Sequence, residues 1–383
     1  MRVLHIIGSL GRGGAEQSLA EMLPIFTEAG IDSALVCLSR APQGVHDLVE
    51  DAGYPVSVVG TRRVTAVLRI RRAIKEWRPD VVHTTISEAS MLGRVAAAGL
   101  PCRVMSSLVN TTYDGVRLAD PGINRYKFAA SKGVDRFTAR HLTDHFHAIT
   151  GAVRDSAITH LRLRPERVTV VERGRDLARL GEPSADRRCA VRDALGLAED
   201  AEVVLNIGRQ EYQKDHATLL EAIARLASSR PRLVLLQAGR EGKATPQTAR
   251  LVEDLGVAER VHFLGFRRDV GDLLAASDAF AFPSIYEGLG GSVLEAMAMR
   301  VPIVVTDVPA LVEVVESGRG ALVVPVRDPS ALAEAIETLL EDRVAASEMA
   351  ERAQQIFFER FTLQRSAGRM VELYRKVADP GVG

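Results

Sequence analysis

Residues 279–298 read AFAFPSIYEGLGGSVLEAMA, and the fold class turns on them. The run Ala279-Phe280-Ala281-Phe282 has the length and apolar character of a buried strand and stops at Pro283. A loop follows with Glu287, Gly288, Leu289, Gly290 and Gly291, and Ser292 to Ala298 then reads as a helix. Strand, glycine loop and helix form the repeating unit of a parallel sheet. The loop of such a unit lies at the sheet's carboxyl edge, where open α/β folds bind ligands. Glycines let backbone approach a ligand closely, and a helix opening near Ser292 presents unpaired N–H groups to a diphosphate.

The same alternation runs through the chain on both sides of this stretch. Val203 to Ile207, Leu233 to Leu236 and Val261 to Leu264 precede it as strands, and Pro302 to Val305 and Ala321 to Val324 follow it. The first half repeats the scheme with Val3 to Ile7, Ser33 to Leu38, Val56 to Val59, Asp80 to His83 and Arg103 to Ser107. Short strands alternating with helical patterns predict an α/β chain of two Rossmann-like, doubly wound parallel-sheet domains. The expected boundaries are 1–180 and 181–360, with a linker within Glu172 to Ala201 after the charged stretch that starts at Arg162. Residues 361–383 are expected as a terminal helix crossing back to the first domain.

Bulk properties narrow the function classes. A length of 383 residues exceeds one ordinary core, and 46% hydrophobic with 26% charged residues excludes a disordered or fibrous chain. Net charge is zero, with 49 basic and 49 acidic residues, which removes the simplest case for a nucleic-acid partner. Residues 1–180 nonetheless hold 25 basic and 18 acidic side chains, +7, against 24 and 31, −7, in the remainder. Cys37, Cys102 and Cys189 lie far apart without metal-like spacing, as suits a reducing compartment. The apolar run Val3 to Ile7 is too short for a signal peptide, and no stretch approaches the roughly 20 apolar residues of a membrane span. These features predict a cytoplasmic protein, peripheral at most to the inner face of the membrane.

Three segments carry candidate chemistry. Glu287 and Glu295, eight residues apart across the glycine loop, have carboxylates suited to neighbouring sugar hydroxyls. Taken alone, Glu295 in a first helical turn fits a helix-dipole partner as well, and Glu287 a solvated loop residue. Gly208-Arg209 and Lys214 place two cations beyond a strand end, a guanidinium fork and a point charge for phosphate oxygens, or else two exposed surface bases. Gly8 to Glu16 is a strand-to-helix glycine loop with Gly13 and Gly14. Glu16 stands where the last glycine of a dinucleotide fingerprint belongs, which disfavours a nicotinamide cofactor and leaves a phosphate-facing loop or a plain tight turn.

In order along nearly the whole chain, these segments resemble glycosyltransferase family 4, whose members have the GT-B fold of two facing Rossmann-like domains with a ligand cleft between them. The resemblance rests on Gly13-Gly14-Ala15-Glu16, Gly208-Arg209 with Lys214, Arg260 to Gly265, Ala276-Ser277-Asp278 with Pro283-Ser284, and Glu287 with Glu295 before Ala296-Met297-Ala298. It implies retaining transfer of a hexose-type sugar from a UDP- or GDP-linked donor to a hydroxyl acceptor that is a small molecule, a glycan or lipid-linked. By this resemblance Arg209 and Lys214 hold the donor diphosphate and Glu295 the ribose hydroxyls. Glu287, with Gly288, Leu289, Gly290, Gly291 and Ser292, addresses the donor sugar and β-phosphate. Gly13 and Gly14 close on the phosphate, and Phe266 and Arg267 border the base. The region where members often carry a histidine reads Ser107 to Thr112 here, with Asn110 in its place. No cofactor or metal is implied, since cations and backbone dipoles stabilise the leaving group. A nucleotide-sugar epimerase and a non-catalytic nucleotide-sugar-binding protein are the alternatives.

Two further clusters read differently. His141, His145 and His147 suit helix-end histidines better than a metal site, because His147 falls in a strand-like run. Residues 62–78 hold Arg62, Arg63, Arg69, Arg71, Arg72, Lys75 and Arg78 against Glu76 alone, a solvated basic face or a peripheral contact with anionic lipid.

Overall fold

The computed structural model describes residues 1–11, 13–42 and 44–379; Arg12 of the amino-terminal glycine loop and residues 380–383 of the terminal segment lie outside the described residues. The chain divides into two compact units, Met1–Gly174 with Leu363–Gly383, and Arg175–Thr362.

The first unit is built on a parallel sheet of β1 (Arg2–Ile7), β2 (Asp32–Cys37), β3 (Val56–Val58), β4 (Val81–Thr85), β5 (Arg103–Leu108), β6 (His145–Ala148) and β7 (Val168–Val170), in the order β3-β2-β1-β4-β5-β6-β7. Its helices are α1 (Gly14–Glu28), α2 (His46–Asp51), α3 (Arg63–Trp77), α4 (Ser87–Ala97), α5 (Arg125–His141) and α6 (Gly151–Leu161). Alternate residues of β1 enter different cores. Val3 and Ile7 join Leu23 and Phe26 of α1, whereas Leu4 and Ile6 join Ala66 and Ile70 of α3 and Leu92 and Ala96 of α4. A strand buried on both faces in this way reads as a continuous apolar run.

The second unit holds β8 (Glu202–Ile207), β9 (Leu233–Ala238), β10 (Val261–Gly265), β11 (Ala279–Phe282), β12 (Ile303–Thr306) and β13 (Leu322–Val324), all parallel, in the order β10-β9-β8-β11-β12-β13. Around them lie α7 (Ala185–Ala194), α8 (His216–Leu226), α9 (Thr245–Asp254), α10 (Val270–Ala276), α11 (Gly291–Ala298), α12 (Pro309–Val315), α13 (Pro329–Glu341) and α14 (Arg343–Arg360). Leu219 and Ile223 of α8 and Ile336 and Leu339 of α13 share a core with Leu235, Ala279 and Val304. The last helix, α15 (Leu363–Ala378), belongs to the first unit, where Ala367, Met370 and Tyr374 lie in the same cluster as Leu23 and Phe26.

Strand order reverses at β1/β4 in the first sheet and at β8/β11 in the second. Loops diverge at such a switch point and leave a crevice beyond the carboxyl ends of the strands. One strand differs from the sequence reading. β7 falls inside the charged stretch that starts at Arg162, because a three-residue edge strand bordered by Arg167 has too short an apolar run to register. Among the described residues, no helix is long and apolar enough to cross a membrane.

Candidate active site

β8 and β11 are hydrogen-bonded neighbours through Val204 and Leu205 against Ala279 and Phe280, so the loops that follow them leave the sheet side by side. Asn206 Nδ2 donates to the Ala281 carbonyl at 2.8 Å, and Ser292 Oγ donates to the Ile207 carbonyl at 3.1 Å. Between the loops, the Ile285 N–H donates to the Gln213 carbonyl at 2.8 Å. These bonds fix two segments 72 to 85 residues apart in sequence in one register.

Within that frame Glu287 is buried and heavily partnered. Its Oε1 accepts from Ser284 Oγ at 3.1 Å and from Gln213 Nε2 at 3.4 Å, and forms an ion pair with Lys214 Nζ. Lys214 arrives through a 3-10 turn, Tyr212–Lys214, and its Nζ also lies 4.3 Å from the centre of the Phe282 ring. Removing one partner of such a secluded pair leaves a desolvated charge. Next along the chain, His216 is buried and neither ring nitrogen has a hydrogen-bond partner within the protein; burial first, then the Lys214 charge, pushes it down to about 4. It is a neutral imidazole beside an ammonium.

Beyond Glu287 the chain turns through Gly290, whose φ of +79° is in the left-handed region that favours glycine, and α11 begins at Gly291. Glu295 therefore lies past the first helical turn, contrary to the sequence reading, because the start of the helix is set by the turn at Gly290. Dipole stabilisation falls off over the first turn. Glu295 is instead held by Arg175 Nε at 3.3 Å. A Cβ on Gly291 would come within 1.9 Å of Arg175 Nη2, so this glycine makes room for that guanidinium.

The remaining expected residues are more scattered. Arg209, one residue past Gly208, is exposed and 3.9 Å from Glu211. Phe266 and Arg267 follow β10, the edge strand two places from β8; Phe266 is exposed, and Arg267 pairs with Asp269. In the first unit Gly13 caps α1 in an extended conformation and Gly14 is its first residue. Asn110 follows β5. Its Oδ1 accepts from the Thr111 N–H at 2.8 Å, and it lines a pocket with Ser90, Arg94, Tyr113, Asp135 and His160. At the base of that pocket Arg94, fully buried, pairs with Asp135 at 2.5 Å and donates to Ser106 Oγ at 2.9 Å. Tyr113 donates to the same carboxylate at 2.9 Å.

Sequence reasoning assigned no role to Ser284, Gln213 or Arg175, which hold the two glutamates, because contacts of that kind have no local signature. It also passed over Ile86, a β-branched residue at φ +73° just past β4 at the first sheet's switch point. Such residues cost energy in this conformation and concentrate at ligand sites. The histidines separate: His141 ends α5 and is exposed, His145 Nε2 bonds Thr169 Oγ1 at 2.8 Å, and His147 is buried between Ser107 Oγ at 2.9 Å and the Val171 carbonyl at 2.7 Å.

Chemically, the second unit places an ammonium, a guanidinium and the opening of α11 around one sheet edge, with a carboxylate held at its centre. That is an arrangement for an anion attached to a polyhydroxyl group. The model of the family Glycosyl transferases group 1 matches residues 188–356, and that of Glycosyltransferase Family 4 matches residues 12–179. Alpha-maltose-1-phosphate synthase of Mycolicibacterium smegmatis is 31% identical over 264 residues, 66% of this chain and 67% of that one. The UDP-Gal:alpha-D-GlcNAc-diphosphoundecaprenol alpha-1,3-galactosyltransferase of Escherichia coli is 23% identical over 317 residues, 81% and 78% of the two chains. Among solved structures, Anabaena HepE in complex with UDP-glucose superposes with a TM-score of 0.85 at 23% identity, over 98% of this chain and 100% of that one. The two Rossmann-like sheets are thus those of the GT-B class, and the chain, a glycosyltransferase, belongs to glycosyltransferase family 4.

Proposed function

We propose that the chain transfers a hexose from a UDP-linked donor to a hydroxyl acceptor with retention of anomeric configuration and without a metal ion. The observation that carries this reading is the convergence of Lys214 and Glu287 at the β8/β11 switch point, beside the glycine turn that opens α11. Lys214 and Arg209 take the diphosphate, which removes the need for a divalent cation to neutralise the departing charge. Glu295 takes the ribose hydroxyls and is kept in place by Arg175. Glu287 and the backbone from Gly288 to Ser292 address the sugar and the β-phosphate. Gly13 and Gly14 meet the phosphates, Phe266 and Arg267 border the base, and Asn110 hydrogen-bonds the sugar through its amide N–H groups. The uracil base is favoured by the UDP-glucose of the HepE complex.

In the step itself the acceptor oxygen bonds to the anomeric carbon on the face from which the β-phosphate oxygen leaves. The acceptor proton passes to that departing phosphate, and the nucleoside diphosphate is released. A hydroxyl on a lipid-linked glycan is the acceptor class suggested by the galactosyltransferase relative. Contact of residues 62–78 with anionic lipid is part of the same reading. Within the unit, however, Arg63 pairs with Glu88, Arg72 with Glu76, Arg69 bonds the Val59 carbonyl, and Arg71 bonds those of Ala96 and Ala98.

The test is slow donor hydrolysis without acceptor, followed by proton NMR in the presence of EDTA. UDP-hexose cleavage with the released sugar first in the donor's own anomeric form is expected. Inversion, or activity that disappears with chelator, would overturn the mechanism. Thermal stabilisation by GDP or ADP and not by UDP would overturn the donor.

A further inference from the structure

The glycine loop between β1 and α1 is gripped by the segment that follows β2. The Ser39 N–H donates to the Gly8 carbonyl at 3.0 Å, and the Val45 N–H donates to the Leu10 carbonyl at 2.7 Å. A Cβ on Gly44 would overlap that same Leu10 oxygen, so the two backbones meet with no side chain between them. Leu10 is fully buried, in the cluster that also holds Val45 and Val49.

The remaining backbone group of Leu10 goes to a side chain. The Leu10 and Ala41 N–H groups both donate to Nε2 of His46, the residue that opens α2, at 3.3 Å each. A ring nitrogen that accepts carries no hydrogen, so the imidazole is neutral with its proton on Nδ1. That Nδ1 is buried and has no hydrogen-bond partner among the described residues. Burial first, then the Arg40 charge, holds His46 below its ordinary 6.5, against the opposing pull of Glu50 and Asp47. Arg40, in the loop after β2, is itself paired with Asp47 and Glu50 of α2. From α1, the Glu16 carboxylate lies beside Gly13, and in β2 the Cys37 thiol is pushed up to about 12 by burial.

We propose that His46 is a positioning residue for donor binding: its neutral Nε2 clamps the glycine loop at Leu10, holds Gly13 and Gly14 where the donor phosphates arrive, and releases the loop when it takes a proton. This rests on the reading that Gly13 and Gly14 meet those phosphates. A loop with glycines at 8, 11, 13 and 14 has many conformations to lose, and ordering it before the ligand arrives removes that loss from the binding step. On protonation Nε2 becomes a donor facing two donors, and two backbone N–H groups lose their acceptor at once. Acting through the loop, His46 should change donor affinity and leave the chemical step alone.

The experiment compares the parent with His46→Gln, whose Oε1 can stand in for Nε2 and does not titrate, and with His46→Leu, which offers no acceptor. Hydrogen exchange at pH 7.5 without nucleotide, read on the peptide that contains Leu10, should be about tenfold faster in H46L and near the parent's rate in H46Q. In slow UDP-glucose hydrolysis, H46L should raise KM about tenfold with kcat within about twofold, and H46Q should stay within about threefold in both. As pH falls below 6.5, over the range in which circular dichroism is unchanged, the parent's KM should climb towards that of H46L while H46Q lags behind. The other histidines are common to both chains and cancel in that comparison. Equal exchange in H46L and the parent overturns the clamp. An H46L KM within about twofold of the parent's, or an equal fall of kcat in both variants, makes His46 a structural residue only and overturns the proposal. Parallel pH profiles of the parent and H46Q overturn the release. Should H46L fail to fold, the pH comparison decides by itself. If the parent cleaves no UDP-glucose, the donor reading falls, and the exchange comparison still decides the clamp.

Discussion

At the scale of single residues, the decisive arrangement is a carboxylate that already holds a cation. While Glu287 keeps Lys214, the ammonium is only partly available to a diphosphate, so the two residues act as a unit and single changes should not add. Glu287→Gln keeps the shape and removes the charge. It is expected to leave UDP affinity equal or tighter while kcat falls about a hundredfold, by calorimetry and initial rates; an equal loss in both would remove the sugar-directed role. Lys214→Met strands the carboxylate with Ser284 and Gln213 alone, and should lower stability by about 3 kcal/mol. Adding Glu287→Gln should restore most of that stability and none of the activity. Glu295→Ala should weaken nucleotide binding, and Arg175→Ala should share the defect if the guanidinium positions the carboxylate. Unchanged binding in Arg175→Ala would make that pair a bystander. Arg209, Lys214, Glu287 and Glu295 were legible in the sequence as candidates because each stands next to a strand end or a glycine turn. Their partners were not: Lys214 and Glu287 meet across 73 positions, and no periodicity reports a contact of that span.

At the scale of elements, strands were legible where both faces are buried. Ala279 to Phe282 was recognised with the bounds it has, because Asp278 and Pro283 bracket an unbroken apolar run. β7 was not, being three residues at a sheet edge among arginines. The opening of α11 was displaced for a different reason: backbone at Gly290 takes a left-handed turn that helical propensity does not encode. Gly290→Ala tests this turn. A Cβ there meets Leu311 Cδ2 at 2.7 Å on a backbone with φ +79°, so the change should cost at least about 1–2 kcal/mol and shift Glu287 and Gly291 together. A melting temperature within a degree of the parent's, with unchanged kcat, would show that the turn tolerates a side chain. Gly291→Ala should be milder for folding, since the obstructing Arg175 is the end of a flexible side chain, yet should displace the Arg175–Glu295 pair and weaken nucleotide binding.

At the scale of the whole molecule, the two units answer acid differently. In the first, burial pushes His5 and His147 down to about 3 and His145 to about 4, from an ordinary 6.5, and holds His83 well below it. His83 lies between Tyr374 Oη at 2.6 Å and Ser107 Oγ at 2.8 Å, in a chain that continues to His147. These imidazoles stay neutral when folded and take protons when unfolded. Their contribution is complete above pH 6.5 and is lost as pH falls from there through about 4 for His145 and towards about 3 for His5 and His147. Among the described residues, His216 is the one such histidine in the second unit. Trp77, the single tryptophan, sits in α3 and reports the first unit alone. Its fluorescence transition should therefore move to lower temperature between pH 6.5 and about 4 ahead of the far-ultraviolet transition of the whole chain, and less so in His147→Asn. Coincident transitions at every pH would remove the effect. Tyr374 closes that histidine chain from α15, more than 200 positions after the first unit's last strand. On a ribosome adding roughly 5–20 residues per second, the second unit emerges entire while the first waits about 10–40 s with His83 and the β1 face uncovered. The protein's earliest-made half is thus its last to be finished, and during that interval it is the half that a chaperone would have to guard.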